Sequence, residues 1–176
     1  NEEQNNAVLE ELKKNPYIVS SLDEKDRIRK APAPFTTSSM QQDAANKINF
    51  STRKTMMVAQ QLYEGIEIKG HRTIGLLSYI RTDSVRISDE AKAQAREYIL
   101  EKMGEKYYSN NIYKNRKGDV QDAHEAIRPS HIELEPDEIK DSLSRDQDTL
   151  YKVSWDRFLA RQIAPARFTA VQAGRS

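Results

Sequence analysis

The sequence contains no cysteine and only three histidines, His71, His124 and His131. Disulfide bonds, cysteine zinc sites and thiol nucleophiles are therefore excluded, and histidines so far apart do not predict a metal site. The sequence has no run of eighteen apolar residues, so we expect neither a membrane-spanning helix nor a membrane partner. It also lacks an internal repeat and a low-complexity tract.

The 176 residues and 20.3 kDa suit one domain, or a domain with part of another. Hydrophobic residues make up 37% and charged residues 31%, which is typical of a globular protein with a modest core. The chain begins at Asn1 without a methionine and ends just after an expected strand at residues 167–171. We therefore expect it to be a piece of a longer protein, and we expect that protein to be cytoplasmic.

The net charge of +1 conceals an uneven distribution. Residues 27–86 carry ten basic and four acidic groups, a net charge of +6, whereas residues 1–26 carry −4 and residues 87–162 carry −3. This asymmetry favours a polyanion partner such as nucleic acid. Chance clustering on a solvated face explains the same numbers.

The pattern at the start of the chain predicts an amphipathic helix over residues 2–14, a strand opening at Tyr17 and a second strand around Ile28. The Ala-Pro-Ala-Pro run at residues 31–34 bars helix and strand alike and predicts a domain boundary. Beyond it, Ser38 or Ser39 is expected to cap a helix to Ile48.

Two helices and a hairpin are predicted in the basic stretch. Ser51 is expected to cap the second helix, through Tyr63, with Gly65 at its end. Residues 66–68 and 73–80 are expected to pair as strands, and helices followed by a hairpin indicate a winged helix. Further helices are predicted from Ser88, from Pro136 and from a capping box that begins at Ser144. The fold class is therefore mainly α with short β-strands.

Two segments hold polar groups that suit chemistry on a phosphate. On the predicted strand through residue 80, Tyr79 and Arg81 would lie on the same face. A phenol has a pKa of about 10, so a nucleophilic tyrosine needs a nearby cation, and an arginine also binds phosphate with two donors. In the second segment, residues 122–129, polar side chains crowd a short loop that a proline ends. Taken without any family, a tyrosine beside an arginine is usually structural, and the second segment also suits plain hydrogen bonding within a loop.

These segments resemble the signatures of type IA DNA topoisomerases. Residues 77–84 (LSYIRTDS) are similar to the active-site signature of that family, and residues 124–129 (HEAIRP) are similar to its second signature. A third match joins residues 34–42 (PFTTSSMQQ) and 54–65 (KTMMVAQQLYEG). The matches stand in the family's order, cover most of residues 34–130 and are most similar to bacterial topoisomerase I.

The resemblance implies a role for each matching residue. Tyr79 would attack a phosphodiester of one DNA strand and become linked to its 5′ phosphate, and Arg81 would hold that phosphate. His124 would contact phosphate in the active-site cleft. Asp83, Ser84 and Arg128 would lie near the DNA, with Arg128 either structural or close to DNA.

The resemblance also implies an architecture. Residues 35–162 would form a lid domain of winged-helix type, inserted into a β-rich arch domain represented by residues 1–34 and 163–176. The magnesium ion of the family would be bound by a Toprim domain, for which this sequence has no matching carboxylate cluster. The partners would be single-stranded DNA and the remaining domains, the location the bacterial nucleoid, and the chain alone would not relax DNA.

Two other functions fit part of the pattern. A winged-helix DNA-binding protein without catalysis fits the charge distribution and the expected fold, but it leaves the HEAIRP segment unexplained. A tyrosine recombinase also uses tyrosine, arginine and histidine on DNA. That class forms a 3′ linkage and needs several arginines before its tyrosine, a pattern the sequence lacks.

Overall fold

The computed structural model of the chain describes residues 2–14, 19–108 and 124–175. The chain divides into two compact units, one made of Asn1–Arg29 with Ala166–Ser176 and the other of Lys30–Pro165. None of the helices in the described ranges is long and apolar enough to cross a membrane. Two-stranded antiparallel sheets accompany a larger number of helical residues, which confirms the predicted mainly α, α+β class. The two strands of the longer sheet, of 11 and 10 residues, are longer than predicted.

The first unit combines one helix with a two-stranded antiparallel ribbon. Helix α1 spans Glu2–Lys14, and strand β1 (Val19–Arg29) pairs with strand β4 (Ala166–Arg175). In the ribbon Asp23 lies opposite Gln172, and Arg29 lies opposite Ala166. The sequence predicted two strands here, whereas the structure has the single strand β1. It is continuous because β4 pairs with it along its length. Tyr17, where the first was expected to open, lies outside the described residues.

The second unit holds the remaining helices and a small hairpin. Its elements in chain order are α2 (Thr37–Ile48), α3 (Thr52–Glu64), β2 (Ile66–Glu67), β3 (Thr73–Ile74), α4 (Asp89–Lys102), α5 (Pro136–Ile139) and α6 (Arg145–Gln162). Single 3₁₀ turns lie at Glu105–Tyr107 and Lys140–Ser142. Helices α2, α3 and α6 pack against one another around the core.

The helix caps follow from local sequence. Ser51 caps α3 and Ser88 caps α4, each accepting a backbone N–H bond on its side chain. Ser144 and Gln147 form a capping box at the start of α6, in which each side chain accepts a backbone N–H of the other residue. All three predicted caps are confirmed, because a cap needs only residues within one turn.

The cap of α2 differs from the prediction. Thr36, rather than Ser38 or Ser39, accepts the capping bond, and Ser39 completes a capping box as its third residue. Four hydroxyl residues, 36–39, stand in a row here, so the sequence offers several caps of similar quality. The backbone of Thr37, which hydrogen-bonds to Thr82, selects the earlier start.

The hairpin is much shorter than predicted. Ile66 lies opposite Ile74 and Glu67 opposite Thr73, and pairing stops there. The expected strand to Ile80 is therefore wrong, and Tyr79 and Arg81 lie in an irregular segment in which strand alternation does not fix side-chain directions. Beyond Ile74 the backbone bonds run to distant parts of the chain.

The core of the second unit is apolar and closely packed. Tyr151 and Phe35 are among its largest buried side chains, and the indole N–H of Trp155 donates to the Ile132 carbonyl at 3.0 Å. Met56 packs against this core, whereas its neighbour Met57 is exposed. The core also reaches the candidate site, because Leu77 and Ile80 on either side of Tyr79 are buried.

Candidate active site

The segment that carries Tyr79 is held first by the end of α3. The backbone N–H groups of Leu76 and Leu77 both donate to the Leu62 carbonyl, at 2.7 and 3.3 Å. An added Cβ at Gly75 would lie 2.7 Å from the Tyr63 carbonyl oxygen, so only glycine allows this approach. The start of the segment is therefore fixed against a helix end.

The second anchor is the HEAIRP segment, 45 to 50 residues further along the chain. The Ser78 N–H donates to the Arg128 carbonyl at 2.9 Å, and the Ser130 N–H donates to the Leu76 carbonyl at 3.0 Å. The Ser78 hydroxyl donates to the Ala126 carbonyl and accepts the Arg128 N–H, both at 2.9 Å. One side chain thus joins the two signature segments.

The third anchor is Thr37, in the first turn of α2. Its hydroxyl donates to the Ile80 carbonyl at 2.8 Å and accepts the Thr82 N–H at 2.9 Å. Its own N–H donates to the Thr82 carbonyl at 2.9 Å. Tyr79 is therefore held from both sides along the chain.

The Tyr79 side chain is itself 46% exposed. Two aromatic rings adjoin it. The Tyr63 ring meets it edge to face, with centroids 5.7 Å apart and an interplanar angle of 69°, whereas the His124 ring stacks on it at 6.3 Å and 27°. Both distances fall in the range of favourable aromatic pairs. The structure thus brings together two of the three expected catalytic residues.

The residues next to His124 form a local ion pair. Arg128 contacts the Glu125 carboxylate at 2.8 Å through Nη2 and at 2.9 Å through Nε. Burial raises the pKa of Glu125, but hydrogen bonds from Ser88 and the charge of Arg128 outweigh it, so the pKa lies below its usual range. Because Ser88 also caps α4, this pair ties the HEAIRP segment to a helix N-terminus.

The other expected site residues divide by exposure. Arg81 and Asp83 are exposed, and within the described ranges Arg81 makes no hydrogen bond or ion pair. No described contact joins Arg81 to Tyr79 or His124. Ser84 is buried, and its hydroxyl accepts the Arg86 N–H at 3.2 Å. Arg128 is half-buried in its ion pair.

The sequence did not predict a role for Tyr63 or Thr37, nor the bridging role of Ser78. All three belong to segments that resemble the family, but their contacts span 16 to 50 residues and leave no local pattern. The available signal for Tyr63 was an aromatic residue in the last turn of a helix, directly before Gly65 and the loop that leads to Tyr79.

A metal ion has no evident place in this site. Over residues 2–14, 19–108 and 124–175, no three histidine, aspartate or glutamate side chains are grouped so that they could hold one. The described residues therefore do not fit the magnesium site of the resembling family.

Comparison with known proteins identifies the family. A family model described as DNA topoisomerase matches residues 1–174. The fold also matches the structure of full-length topoisomerase I from Thermotoga maritima, with 39% sequence identity and a TM-score of 0.79. The match covers 95% of this chain and 26% of that one, so the chain spans about a quarter of the length of this relative. The chain therefore belongs to the type IA DNA topoisomerase family and is similar to bacterial topoisomerase I.

Proposed function

We propose that this chain is the part of a bacterial type IA topoisomerase I that carries the nucleophile, Tyr79. The observation that supports this most is the combination of an exposed Tyr79 side chain with a backbone anchored on both sides. An attacking group must reach its substrate and yet keep its position, since misplacement of the reacting atom reduces the rate steeply. An ordinary core tyrosine would be buried.

In the proposed reaction the phenol oxygen of Tyr79 attacks the phosphorus of one DNA strand. The bond from phosphorus to the 3′ oxygen breaks, and the phosphate stays on the 5′ side as a phosphotyrosine. The phenol releases its proton, and the departing 3′ oxygen takes one up. Attack by that 3′ hydroxyl reverses the step after another strand has passed, which relaxes negative supercoils.

Arg81 and His124 would act on the phosphate. The Arg81 guanidinium is exposed and has no partner in the described part of the chain, so its planar donors can bind two phosphate oxygens. The His124 ring lies beside Tyr79, within reach of a group that the phenol attacks. Phosphoryl transfer depends mainly on such positioning and on charge stabilisation.

Asp83, Ser84 and Arg128 would have supporting roles near the DNA. Asp83 is exposed and close in sequence to Arg81, so it can contact the nucleic acid directly. Ser84 and Arg128 already bond within the protein, and we assign them to holding the signature segments in place.

The domain assignment follows the family. We assign residues 35–162 to a winged-helix lid, which the order α2, α3, β2, β3 supports, and residues 1–34 and 163–176 to an arch domain. Apolar side chains of the ribbon, such as Leu22 and Val171, are exposed, as expected for a surface that other parts of a longer protein cover. Magnesium would be bound by a Toprim domain outside this chain. The chain alone should not relax DNA.

The substrate would be single-stranded DNA in the bacterial cytoplasm. The net charge of +6 over residues 27–86 suits the phosphate backbone rather than base readout. We expect this chain to bind oligo-dT and a mixed sequence equally. The affinity should fall steeply as sodium chloride rises, which fluorescence anisotropy would measure. Binding that persists at about 1 M salt would contradict backbone contact.

The nucleophile is tested by Tyr79→Phe in the longer enzyme. Covalent protein–DNA complex should vanish, while DNA affinity and melting temperature persist, because only an exposed oxygen is removed. Tyr107→Phe is the matched control, since Tyr107 is exposed to the same degree, 45% against 46%. Arg81→Lys keeps the charge but loses the planar fork and should slow cleavage with the fold intact.

The same experiment separates the alternatives. Unchanged covalent complex with Tyr79→Phe would reject the nucleophile and leave a winged-helix DNA-binding module, which the helix and hairpin order also supports. Protein attached to the 3′ end of the cut strand would indicate recombinase chemistry.

A further inference from the structure

Tyr63 holds a particular position relative to Tyr79. Its ring presents an edge contact at 69°, while His124 covers Tyr79 by stacking at 27°. The Tyr79 ring therefore has an aromatic neighbour in each of two different orientations. Tyr63 is 38% exposed, so it is not a core residue whose main contribution is burial.

The backbone fixes Tyr63 against the segment that carries Tyr79. The carbonyl of Leu62, the preceding residue, accepts hydrogen bonds from two N–H groups of that segment. The Tyr63 carbonyl lies against Gly75, at a distance that leaves no room for a Cβ atom. These contacts join the last turn of α3 to the start of the loop. The Tyr63 backbone is thus held against the segment that carries Tyr79, independently of the contact between the rings.

We propose that Tyr63 is a positioning residue for Tyr79, an inference that rests on the proposed function. An exposed tyrosine on a fixed backbone still rotates about its Cα–Cβ bond, and that rotation moves the phenol oxygen by several ångströms. The Tyr63 ring, in its edge contact, and the stacked His124 ring both restrict this rotation. The restriction keeps the hydroxyl where it can attack the phosphate, while Tyr63 itself touches neither the phosphate nor the leaving oxygen.

The contact sets the expected size of the effect. An aromatic edge contact is worth enough to change a conformational population roughly three- to tenfold. Removing it should slow cleavage by that factor and should leave DNA affinity nearly unchanged, since Tyr63 acts on the nucleophile. The hydroxyl of Tyr63 is not needed for a ring contact, so phenylalanine should substitute for it.

The test uses single-turnover cleavage of a labelled oligonucleotide by the longer enzyme, with DNA affinity measured in parallel. Tyr63→Ala and Tyr63→Leu should both be roughly three- to tenfold slower with the same affinity, and Tyr63→Phe should match the parent. The leucine variant retains an apolar side chain of substantial volume, which guards against a folding defect in the alanine variant. Tyr107→Ala is the control for loss of an exposed tyrosine ring and should cleave normally.

Three results would overturn the inference. The first is cleavage at the parent rate by both ring-deleted variants. The second is a loss of DNA affinity as large as the loss of rate, which would make Tyr63 a DNA contact. The third is a Tyr63→Phe variant as slow as Tyr63→Ala. Tyr79→Phe, measured alongside, separates this failure from that of the proposed function, since persistent covalent complex there would reject the nucleophile itself.

Discussion

Ser78→Ala is the change that most directly tests how the site is held. The Ser78 hydroxyl makes two hydrogen bonds of 2.9 Å, to the Ala126 carbonyl and from the Arg128 N–H, across about fifty residues of sequence. Alanine removes both bonds and leaves a backbone donor and an acceptor without that partner. The substitution leaves helix caps and core side chains untouched, so its effect isolates the link between the two signature segments.

The magnitude follows from the geometry. A neutral hydrogen bond contributes about 0.5–1.5 kcal/mol, and a buried group left unpaired costs about 1–3 kcal/mol. Because Ser78 is half-buried and water can reach part of the site, we expect a total loss of about 1–3 kcal/mol. With a urea dependence of about 2 kcal/mol per molar, a loss of 2 kcal/mol lowers the midpoint by about 1 M.

The fluorescence of Trp155 measures this loss of stability in the second compact unit, which contains Ser78. Trp155 is the only tryptophan, and its indole is buried in the second unit, so its emission follows the unfolding of the part that contains Ser78. Ser21→Ala is the control, an exposed serine of the ribbon in the other unit. A midpoint shift for Ser78→Ala no larger than that of the control would refute the anchoring role.

Three further substitutions test the contacts that hold the Tyr79 segment, again by urea unfolding followed through Trp155 emission. Gly75→Ala places a Cβ 2.7 Å from the Tyr63 carbonyl oxygen and should cost about 1–3 kcal/mol, because backbone must move; an unchanged midpoint would disprove the close approach. Thr37→Val keeps the shape but loses two hydrogen bonds and should cost about 1–3 kcal/mol, whereas a loss below about 0.5 would argue against this anchor. The pKa of Glu125 is lowered, so its carboxylate stabilises the fold above its ordinary pKa of about 4.3, and this contribution is lost as the pH falls through the lowered value. Glu125→Gln should therefore unfold at lower urea near pH 7 and approach the parent below about pH 4, and a difference that stays constant with pH would contradict the assignment.

Local signals in the sequence were sufficient for most helices. The caps at Ser51, Ser88 and Ser144 and the proline at the start of α5 were predicted correctly. Each depends on bonds within one helical turn, which a short stretch of sequence encodes by itself. The predicted cap of α2 was wrong, because the start of this helix also depends on a hydrogen bond from the Thr37 N–H to the distant Thr82 carbonyl.

The loop around Tyr79 could not be predicted in the same way. Its sequence pattern predicts a strand. In the structure its backbone groups instead form hydrogen bonds with α3, with Thr37 and with the HEAIRP segment. Such partners are set by tertiary packing, which overrides local preference. For the candidate site, the sequence indicated Tyr79 and His124 through the family resemblance, and their contact follows only from the fold.

The two signature segments are joined by hydrogen bonds around Tyr79. The Arg128 N–H donates to the Ser78 hydroxyl, and the Arg128 carbonyl accepts the Ser78 N–H. The Arg128 guanidinium binds Glu125, so every polar group of Arg128 that the structure describes binds protein. A DNA phosphate that approached Arg128 would compete with a half-buried ion pair, whereas Arg81 has no such partner in the described ranges. The cost of breaking a partly desolvated pair exceeds that of recruiting an exposed guanidinium. These contacts favour Arg81 over Arg128 as the proposed phosphate ligand, and those of Arg128 join Ser78 to the segment that carries His124.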